Sequence, residues 1–355
     1  MKKIFRSLIT ALLVGGLLFS LSGCGTAPTK STPSGTEEKK ATKEDALAFY
    51  NGKNINFIVP YTTGGGYDQY VRLVAPYLQK YIPGTTVVVR NIPGGGSLTG
   101  TNELYLSKND GLTLGIINGV GMVTDQAVAQ AGVKFDLNKF SWIGRFNAEP
   151  KVVVVNATSP IKTIEDLKNA KGTQKFSTNG VGSSDNVVLE ITKKLFVPQM
   201  DIIPGYNTSA ECDIAMLRGE VVGTSHSTSS GLALIEQKKA VPLLVYGDSR
   251  DPAYPNVPLA TEILTGADKQ MADDFATLLE LGRDVAAPPE VPAERLALLQ
   301  EAFAKALADP ELLDKAKKAK LDITPLSGPE LAKLFTKSLK MPEDLKTLMA
   351  KSMAT

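Results

Sequence analysis

Two glycine-rich segments have residue types and spacing suited to holding an anion. The segment Pro60 to Asp68 (PYTTGGGYD) places three glycines between an expected strand and an expected helix, and Asn179 to Ser184 (NGVGSS) repeats this arrangement. Glycine lets backbone N–H groups approach a bound group closely, and a helix N-terminus attracts negative charge. A lone cluster is as consistent with a tight turn, but two clusters favour a carboxylate held without a formal cation.

Nucleotide-binding sites need a different glycine spacing. Gly66 is followed by Gln69, and Gly96 by Thr99, where a dinucleotide fingerprint requires a third glycine. No Walker lysine follows either cluster. We therefore expect no nucleotide cofactor, and no other cofactor is indicated.

Catalytic and metal-binding chemistry lacks its usual residues. The segment Gly223 to Ser227 (GTSHS) resembles a nucleophile elbow but ends in serine. His226 is the only histidine, and it adjoins Ser225, so it is poorly placed to act as the base of a triad. With one histidine and Cys212 as the only other cysteine besides Cys24, metal ligands are scarce. We expect no enzyme and no metal site; His226 either lines a cleft or is a buried structural imidazole.

The N-terminus has the pattern of a bacterial secretion signal. Three cationic residues within the first six precede an apolar stretch from Leu8 to Leu21, which is too short for a stop-transfer helix. The stretch ends in Leu21-Ser22-Gly23-Cys24, which resembles a lipoprotein processing site. We predict a signal peptide over residues 1–23 and a lipid anchor on Cys24. Ordinary cleavage near a cysteine is the alternative.

The next segment is predicted to be a flexible tether, residues 24–50. As far as about Lys43 it contains mainly Gly, Thr, Ser, Pro, Lys and Glu, a composition that buries too little apolar surface to fold. The protein is therefore expected to be extracytoplasmic and bound to the membrane through Cys24. Removing the three signal-peptide cations lowers the formal net charge from +2 to −1, so nucleic acid is not an expected partner.

Strands and helices alternate along the rest of the chain, which favours parallel α/β sheets. We predict an α/β fold with two lobes, the first formed by residues 51–154 and 247–355 and the second by 155–246. Ligands of such sheets bind beyond the carboxyl ends of the strands, so we expect a cleft between the lobes. The expected strands are 55–60, 86–90, 113–117, 151–155, 175–178, 200–204, 221–224, 241–246 and 280–286.

The motifs, taken in order, resemble the Bug/TctC family, the extracytoplasmic solute receptors of tripartite tricarboxylate transporters. The resemblance covers Ile55 to about Lys340. Its landmarks are Ile58 to Asp68, Val88 to Gly96, Asp110 to Leu114, Gly180 to Ser184, Pro255 to Pro258 and Ala287 to Pro289.

The resemblance implies a two-lobed type II periplasmic-binding-protein fold that closes over its ligand, with carboxylates held by backbone amides, hydroxyls and bridging waters. The expected binding residues lie on the two glycine loops, directly after the expected strand 113–117, in the segment that contains the family's loop tyrosine, and just after the expected strand 221–224. They are Tyr61, Gly65, Gly66, Asp68, Asn118, Asn179, Gly180, Gly182, Ser183, Ser184, Tyr206, Thr208 and His226.

Two departures from the family pattern bear on the ligand. Gly205-Tyr206-Asn207-Thr208 replaces Pro-Tyr-Lys-Gly, and His226 replaces an acidic residue. Loss of an acid removes a partner for a ligand amine, so a di- or tricarboxylate is favoured over an amino acid or an aromatic carboxylate. The expected partners are that carboxylate and the permease subunits of the transporter, with the receptor as a monomer. A sensor that signals to a membrane kinase is the alternative function.

Overall fold

The computed structural model describes residues 42–148, 150–181 and 183–353, with the side chains of 351–353 excepted. The predicted signal peptide, Cys24 and most of the predicted tether lie outside these residues. The end of the predicted tether is helical: α1 spans Lys43–Tyr50 and is capped by Thr42. Ala46 and Tyr50 are buried, and Lys43 pairs with Glu301 at 2.6 Å. These contacts bind residues 43–50 to the folded domain, because Ala46 and Tyr50 bury apolar surface, which the composition of the preceding segment provides too little of.

The first sheet contains six strands in the order β11-β4-β10-β3-β1-β2. Their bounds are β1 Asn54–Val59, β2 Thr86–Asn91, β3 Thr113–Asn118, β4 Ser141–Arg145, β10 Arg283–Ala287 and β11 Leu326–Ser327. β1 pairs in parallel with β2 and β3, whereas β10 is antiparallel to β3 and β4. The sheet is therefore mixed and not parallel as expected, because β10 enters from the opposite direction when the chain returns.

The second sheet contains five strands in the order β7-β6-β8-β5-β9. Their bounds are β5 Lys151–Asn156, β6 Gln174–Thr178, β7 Met200–Pro204, β8 Gly223–Ser227 and β9 Ala240–Tyr246. β5 is antiparallel to both β8 and β9, so this sheet is also mixed. Val152 to Val155 are fully buried, as expected for β-branched residues in a central strand covered on both faces. The lobe boundaries at 154/155 and 246/247 stay a prediction.

The helices cover both sheets and connect the strands. The ranges after α1 are α2 Gly66–Tyr81, α3 Leu98–Tyr105, α4 Gly119–Ala127, α5 Ile164–Lys168, α6 Ser184–Leu195, α7 Ser209–Leu217, α8 Thr228–Glu236, α9 Ala260–Ile263, α10 Gly266–Leu279, α11 Ala293–Leu307, α12 Pro310–Lys318, α13 Gly328–Ser338 and α14 Glu343–Met353. α2 buries Tyr67, Tyr70, Val71 and Val74, a helical spacing that follows from its amphipathic sequence. No helix among the described residues is long and apolar enough to cross a membrane.

The hydrophobic core joins the two sheets. One cluster of buried side chains runs from Ile58 in β1 to Val153 in β5 and Phe176 in β6. α14 packs against α4, α6 and α10 and so contacts helices from both halves of the chain. The stacked rings of Trp142 and Phe335, 4.0 Å apart, attach α13 to β4. The C-terminal helices therefore contribute to the shared core.

Asp125 is a buried acid in α4, the helix that packs against α6, α13 and α14. Its Oδ1 has no hydrogen-bond partner among the described residues. Burial raises the pKa of Asp125 to about 8, because an ionised carboxylate is costly away from water. The folded protein therefore holds a proton on Asp125 at neutral pH, whereas the unfolded chain releases it above about pH 4.

We expect Asp125→Asn to remove a pH-dependent loss of stability. In the wild type this loss grows as pH rises from about 4 to about 8, because over that range the unfolded state has released the Asp125 proton while the folded state still holds it. We therefore compare how far the free energy of unfolding falls between pH 4.5 and pH 7.5. This fall should be smaller in the variant than in the wild type by a few kcal/mol. Urea denaturation at both pH values measures this difference. Asp268→Asn, at an exposed position of α10, should leave it unchanged, and equal pH dependence in Asp125→Asn and wild type would contradict the prediction.

Candidate functional site

The loop between β1 and α2 forms one wall of the site and is held in place by Asp68. Asp68 Oδ2 accepts hydrogen bonds from the Gly64 N–H at 2.9 Å and from Arg72 Nε at 2.8 Å, and Oδ1 accepts one from Asn91 Nδ2 at 2.9 Å. Burial alone would raise the pKa of Asp68, but these donors outweigh it and lower the pKa. Asp68 is therefore an ionised support behind the loop and does not line the cavity.

Tyr61 lies on the same loop and its hydroxyl is fixed from behind. It donates to the Gly96 carbonyl at 3.2 Å and accepts from Asn118 Nδ2 at 3.1 Å. Asn118 Oδ1 caps α4 by accepting from the Gly121 N–H at 3.2 Å. Tyr61 thus lines the site, whereas the fully buried Asn118 positions it.

The loop between β6 and α6 forms the opposite wall. Ser183 caps α6, its Oγ accepting from the Asn186 N–H at 3.1 Å, and it is buried behind the loop. Asn179 and Ser184 line the cavity. Gly180 has φ +107, a conformation that favours glycine. Gly182 lies outside the described residues.

A cavity, here called the main cavity, separates the two loops and contains about 1030 Å³, part of it open to solvent. A smaller side cavity of about 540 Å³ shares Tyr61 and Asn179 with it. From the first sheet's side the main cavity is lined by Tyr61, 64–67, Gln69, Arg283 and 319–321. From the second sheet's side it is lined by Asn179, Ser184, Asp185, 208–210, Asp213, 226–227, Ser229, Ser230 and Ala233. The side cavity is lined by Tyr61, 93–97, 179–181 and 205–207.

Four helices begin at the main cavity. First-turn residues of α2, α6, α7 and α8 line it, represented by Gly66, Ser184, Ser209 and Ser229. Each N-terminus carries about +0.5 of an elementary charge and N–H groups that have no partner within the helix. The arrangement therefore favours an anion with more than one negative group.

On the second sheet's side, the buried acid Asp185 and the partly buried acid Asp213 each face a basic residue. Lys151 Nζ, from β5, lies 2.9 Å from Asp185 Oδ1, and His226 Nε2 lies 2.8 Å from Asp213 Oδ1. The latter pair is at ion-pair distance without hydrogen-bond alignment. Burial lowers the pKa of His226, but the negative charges of Asp213 and then Asp185 outweigh it and raise the pKa. The two pairs bring both signs of charge to one wall.

Arg283 was missed by sequence analysis, and it corrects the expectation of a site without a formal cation. It is the first residue of β10 and is 2% exposed, yet it lines the main cavity. Asp185 and Asp213, which also line the main cavity, were missed as well. Asp185 directly follows the Asn179–Ser184 motif and could have been included, whereas Arg283 lies about a hundred residues away and carries no local signal.

The structure brings together most of the predicted binding residues. Those lining the main cavity are Tyr61, Gly65, Gly66, Asn179, Ser184, Thr208 and His226. Gly180 and Tyr206 line the side cavity. Asp68, Asn118 and Ser183 lie behind the walls. The segment Gly223 to Ser227, which resembles a nucleophile elbow, is the buried strand β8, so Ser225 is not exposed on a turn. Among the described residues, no three His, Cys, Asp or Glu side chains are grouped to hold a metal ion.

Comparison with known proteins gives a consistent result. The profile described as tripartite tricarboxylate transporter family receptor, TctC, matches residues 71–347. Protein BugT of Bordetella pertussis is 26% identical over 223 residues, which are 60% of this chain and 67% of that protein. The structure of the periplasmic binding protein BugD is 20% identical, has a TM-score of 0.71 and is matched over 85% of this chain and 98% of that one.

Two further solved structures contain ligands. MatC from Rhodopseudomonas palustris, with bound malate, is 17% identical with a TM-score of 0.69, over 84% of this chain and 99% of that one. An R. palustris protein with adipate is 19% identical with a TM-score of 0.70, over 84% and 97%. At these identities the structures show the fold alone: a mixed α/β, two-lobed periplasmic-binding-protein fold.

The charge of His226 gives a direct test of the site's electrostatics. Because His226 is the only histidine, its ring protons can be followed by NMR without assignment. We expect its pKa to lie above the ordinary value of a histidine, and Asp213→Asn to lower it, since burial is then opposed by one negative charge fewer. The stability that this pair contributes should be present at low pH and lost as pH rises through the raised pKa. Asp268→Asn is the control, and an unchanged pKa in Asp213→Asn would contradict the assignment.

Proposed function

The chain belongs to the receptor family of the tripartite tricarboxylate transporters, and on this premise we propose that it captures a di- or tricarboxylate outside the cytoplasm and delivers it to the permease subunits. The observation that carries this proposal is the convergence of four helix N-termini on the main cavity. Backbone N–H groups and helix dipoles at those positions stabilise carboxylates without needing a matching cation for each.

The charged side chains favour a polyanion over an amino acid. An amino acid needs an acidic partner for its ammonium group, but Asp185 faces Lys151 and Asp213 faces His226. Arg283 adds a positive charge on the opposite wall. Malate and adipate, which occupy the related structures, are both dicarboxylates and are suitable first probes.

The walls of the cavity come from both sheets, which supports capture by closure. A ligand that contacts Gly66 on one side and Ser184 on the other stabilises the state in which the two approach. We propose that the closed, occupied receptor is the form that the permease recognises, and that the receptor acts as a monomer.

Calorimetric titration of the purified mature protein tests the ligand class. Malate, adipate and citrate are compared with glutamate and benzoate, and we expect at least one of the first three to bind at least ten-fold more tightly than either of the last two. The midpoint of thermal unfolding should rise with the same ligands, since they bind the folded state. Tight binding of glutamate with no binding of any di- or tricarboxylate would reject the proposal.

Membrane attachment through Cys24 is tested by fractionation. We propose that Cys24 carries the lipid, because it follows the small residues of a lipoprotein processing site. Cys24→Ser should move the protein from the membrane fraction to the soluble fraction. Cys212→Ser, at the buried free cysteine of α7, should leave it in the membrane fraction. Retention of Cys24→Ser in the membrane would exclude this anchor.

A further inference from the structure

Arg283 occupies the wall of the main cavity next to the N-terminus of α2. We propose that its guanidinium binds one carboxylate of the ligand, so that Arg283 determines specificity for ligands with a carboxylate at each end. The inference rests on the proposed function, because it assumes that the ligand of this cavity is a carboxylate.

The backbone of Arg283 is rigidly placed. Its N–H donates to the Asn147 carbonyl at 3.1 Å, and its carbonyl accepts from the Phe146 N–H at 2.9 Å. Gly282 precedes it, and a Cβ there would overlap the Asn147 carbonyl. The side chain therefore starts from a fixed point beside the segment where the chain passes from the first sheet to the second.

The guanidinium is held between aromatic rings and directed towards the cavity. Its centre lies 5.0 Å from the ring of Tyr67 and 4.8 Å from that of Tyr70, within cation–π range. Nη2 donates to Ser227 Oγ at 3.2 Å, and Nη1 lies 3.5 Å from Asn147 Oδ1. These contacts hold the guanidinium at the cavity wall, and arginine is the side chain that pairs with a carboxylate through two parallel hydrogen bonds.

The guanidinium packs directly against the first residue of α2. A Cβ built on Gly66 would lie only 3.1 Å from Arg283 Nη2 and 3.4 Å from Ser230 Oγ, so glycine is needed for this close approach. A carboxylate in the main cavity beside this contact would meet the guanidinium, the β1–α2 loop and hydroxyls of the α8 N-terminus, all of which line the cavity. The other end of the ligand then faces the N-termini of α6 and α7. Burial and then the negative charge of Asp251 raise the pKa of Asp322, and the positive charge of Arg283 opposes them only in part. Asp322 does not line the main cavity.

A purely structural role for Arg283 makes a different prediction. Its contact with Ser227 joins β10 to the N-terminus of α8, so removing it weakens the cavity wall for every ligand alike. If Arg283 recognises charge, its removal weakens the binding of ligands that carry the recognised carboxylate and leaves the binding of other ligands unchanged. The comparison must therefore vary the ligand as well as the residue.

The experiment measures dissociation constants of malate with its two monoamides and of adipate with its one monoamide, for the wild type and Arg283→Gln. We expect the wild type to prefer each diacid over its most weakly bound monoamide by about 10- to 100-fold, and the variant to lose most of that preference. Arg145→Gln is the control, because Arg145 is buried in β4, donates to the Thr324 carbonyl and does not line the main cavity. It should keep the wild-type ratio.

An equal loss for diacid and monoamide in Arg283→Gln would overturn the inference and leave the proposed function intact. If neither diacid binds the wild type while other ligands do, the dicarboxylate class itself is rejected, and the inference with it. If Arg283→Gln does not fold, Arg283→Lys retains the charge but loses the planar fork, and the ratio should fall partway; an unchanged ratio in Arg283→Lys would also overturn the inference.

Discussion

The site depends on one electrostatic constraint: four helices begin at a single water-accessible cavity between two sheets. Their N–H groups and dipoles create a positive potential at the cavity. Asp185 is the second residue of α6 and Asp213 the fifth of α7, so both place negative charge near these N-termini. Lys151 faces Asp185, His226 faces Asp213, and Arg283 adds positive charge on the opposite wall. This arrangement favours an anion.

The supporting contacts follow from the same constraint. A glycine loop that exposes backbone N–H groups cannot rely on side-chain packing to keep its shape, so other residues must hold it. Asp68 does so through the Gly64 N–H, and Tyr61 is fixed through Gly96 and Asn118. These residues are polar and buried, and all make hydrogen bonds, as buried polar groups require. A resemblance to a binding motif therefore identifies both the residues that face the ligand and those that hold them.

Local elements could be predicted from the sequence where the pattern was local. β1, β2 and β3 lie within one residue of their expected positions, because glycines and a change from β-branched to amphipathic sequence mark their ends. The strand expected at 221–224 begins at Gly223 and continues to Ser227, since its polar side chains conceal a buried strand. The directions of β5 and β10 were not predictable, because a strand buried on both faces has the same composition in parallel and antiparallel pairs.

The site, like the fold, could be predicted only where its signal was local in the sequence. The loops were found because their glycines are close together in the sequence, and several of the residues they carry line the main cavity. Arg283 and Asp213 were not, because each is brought to the cavity by tertiary structure: one by a strand that returns in the opposite direction, the other by the second turn of α7. Charges close in space and distant in sequence set the electrostatics of the main cavity. His226 illustrates this: the resemblance implied an acid at its position, and a negative charge is supplied from another element by Asp213, whose Oδ1 lies 2.8 Å from His226 Nε2. A substitution read from one position alone therefore misjudges the local charge, and the pair is the unit that must be compared between receptors.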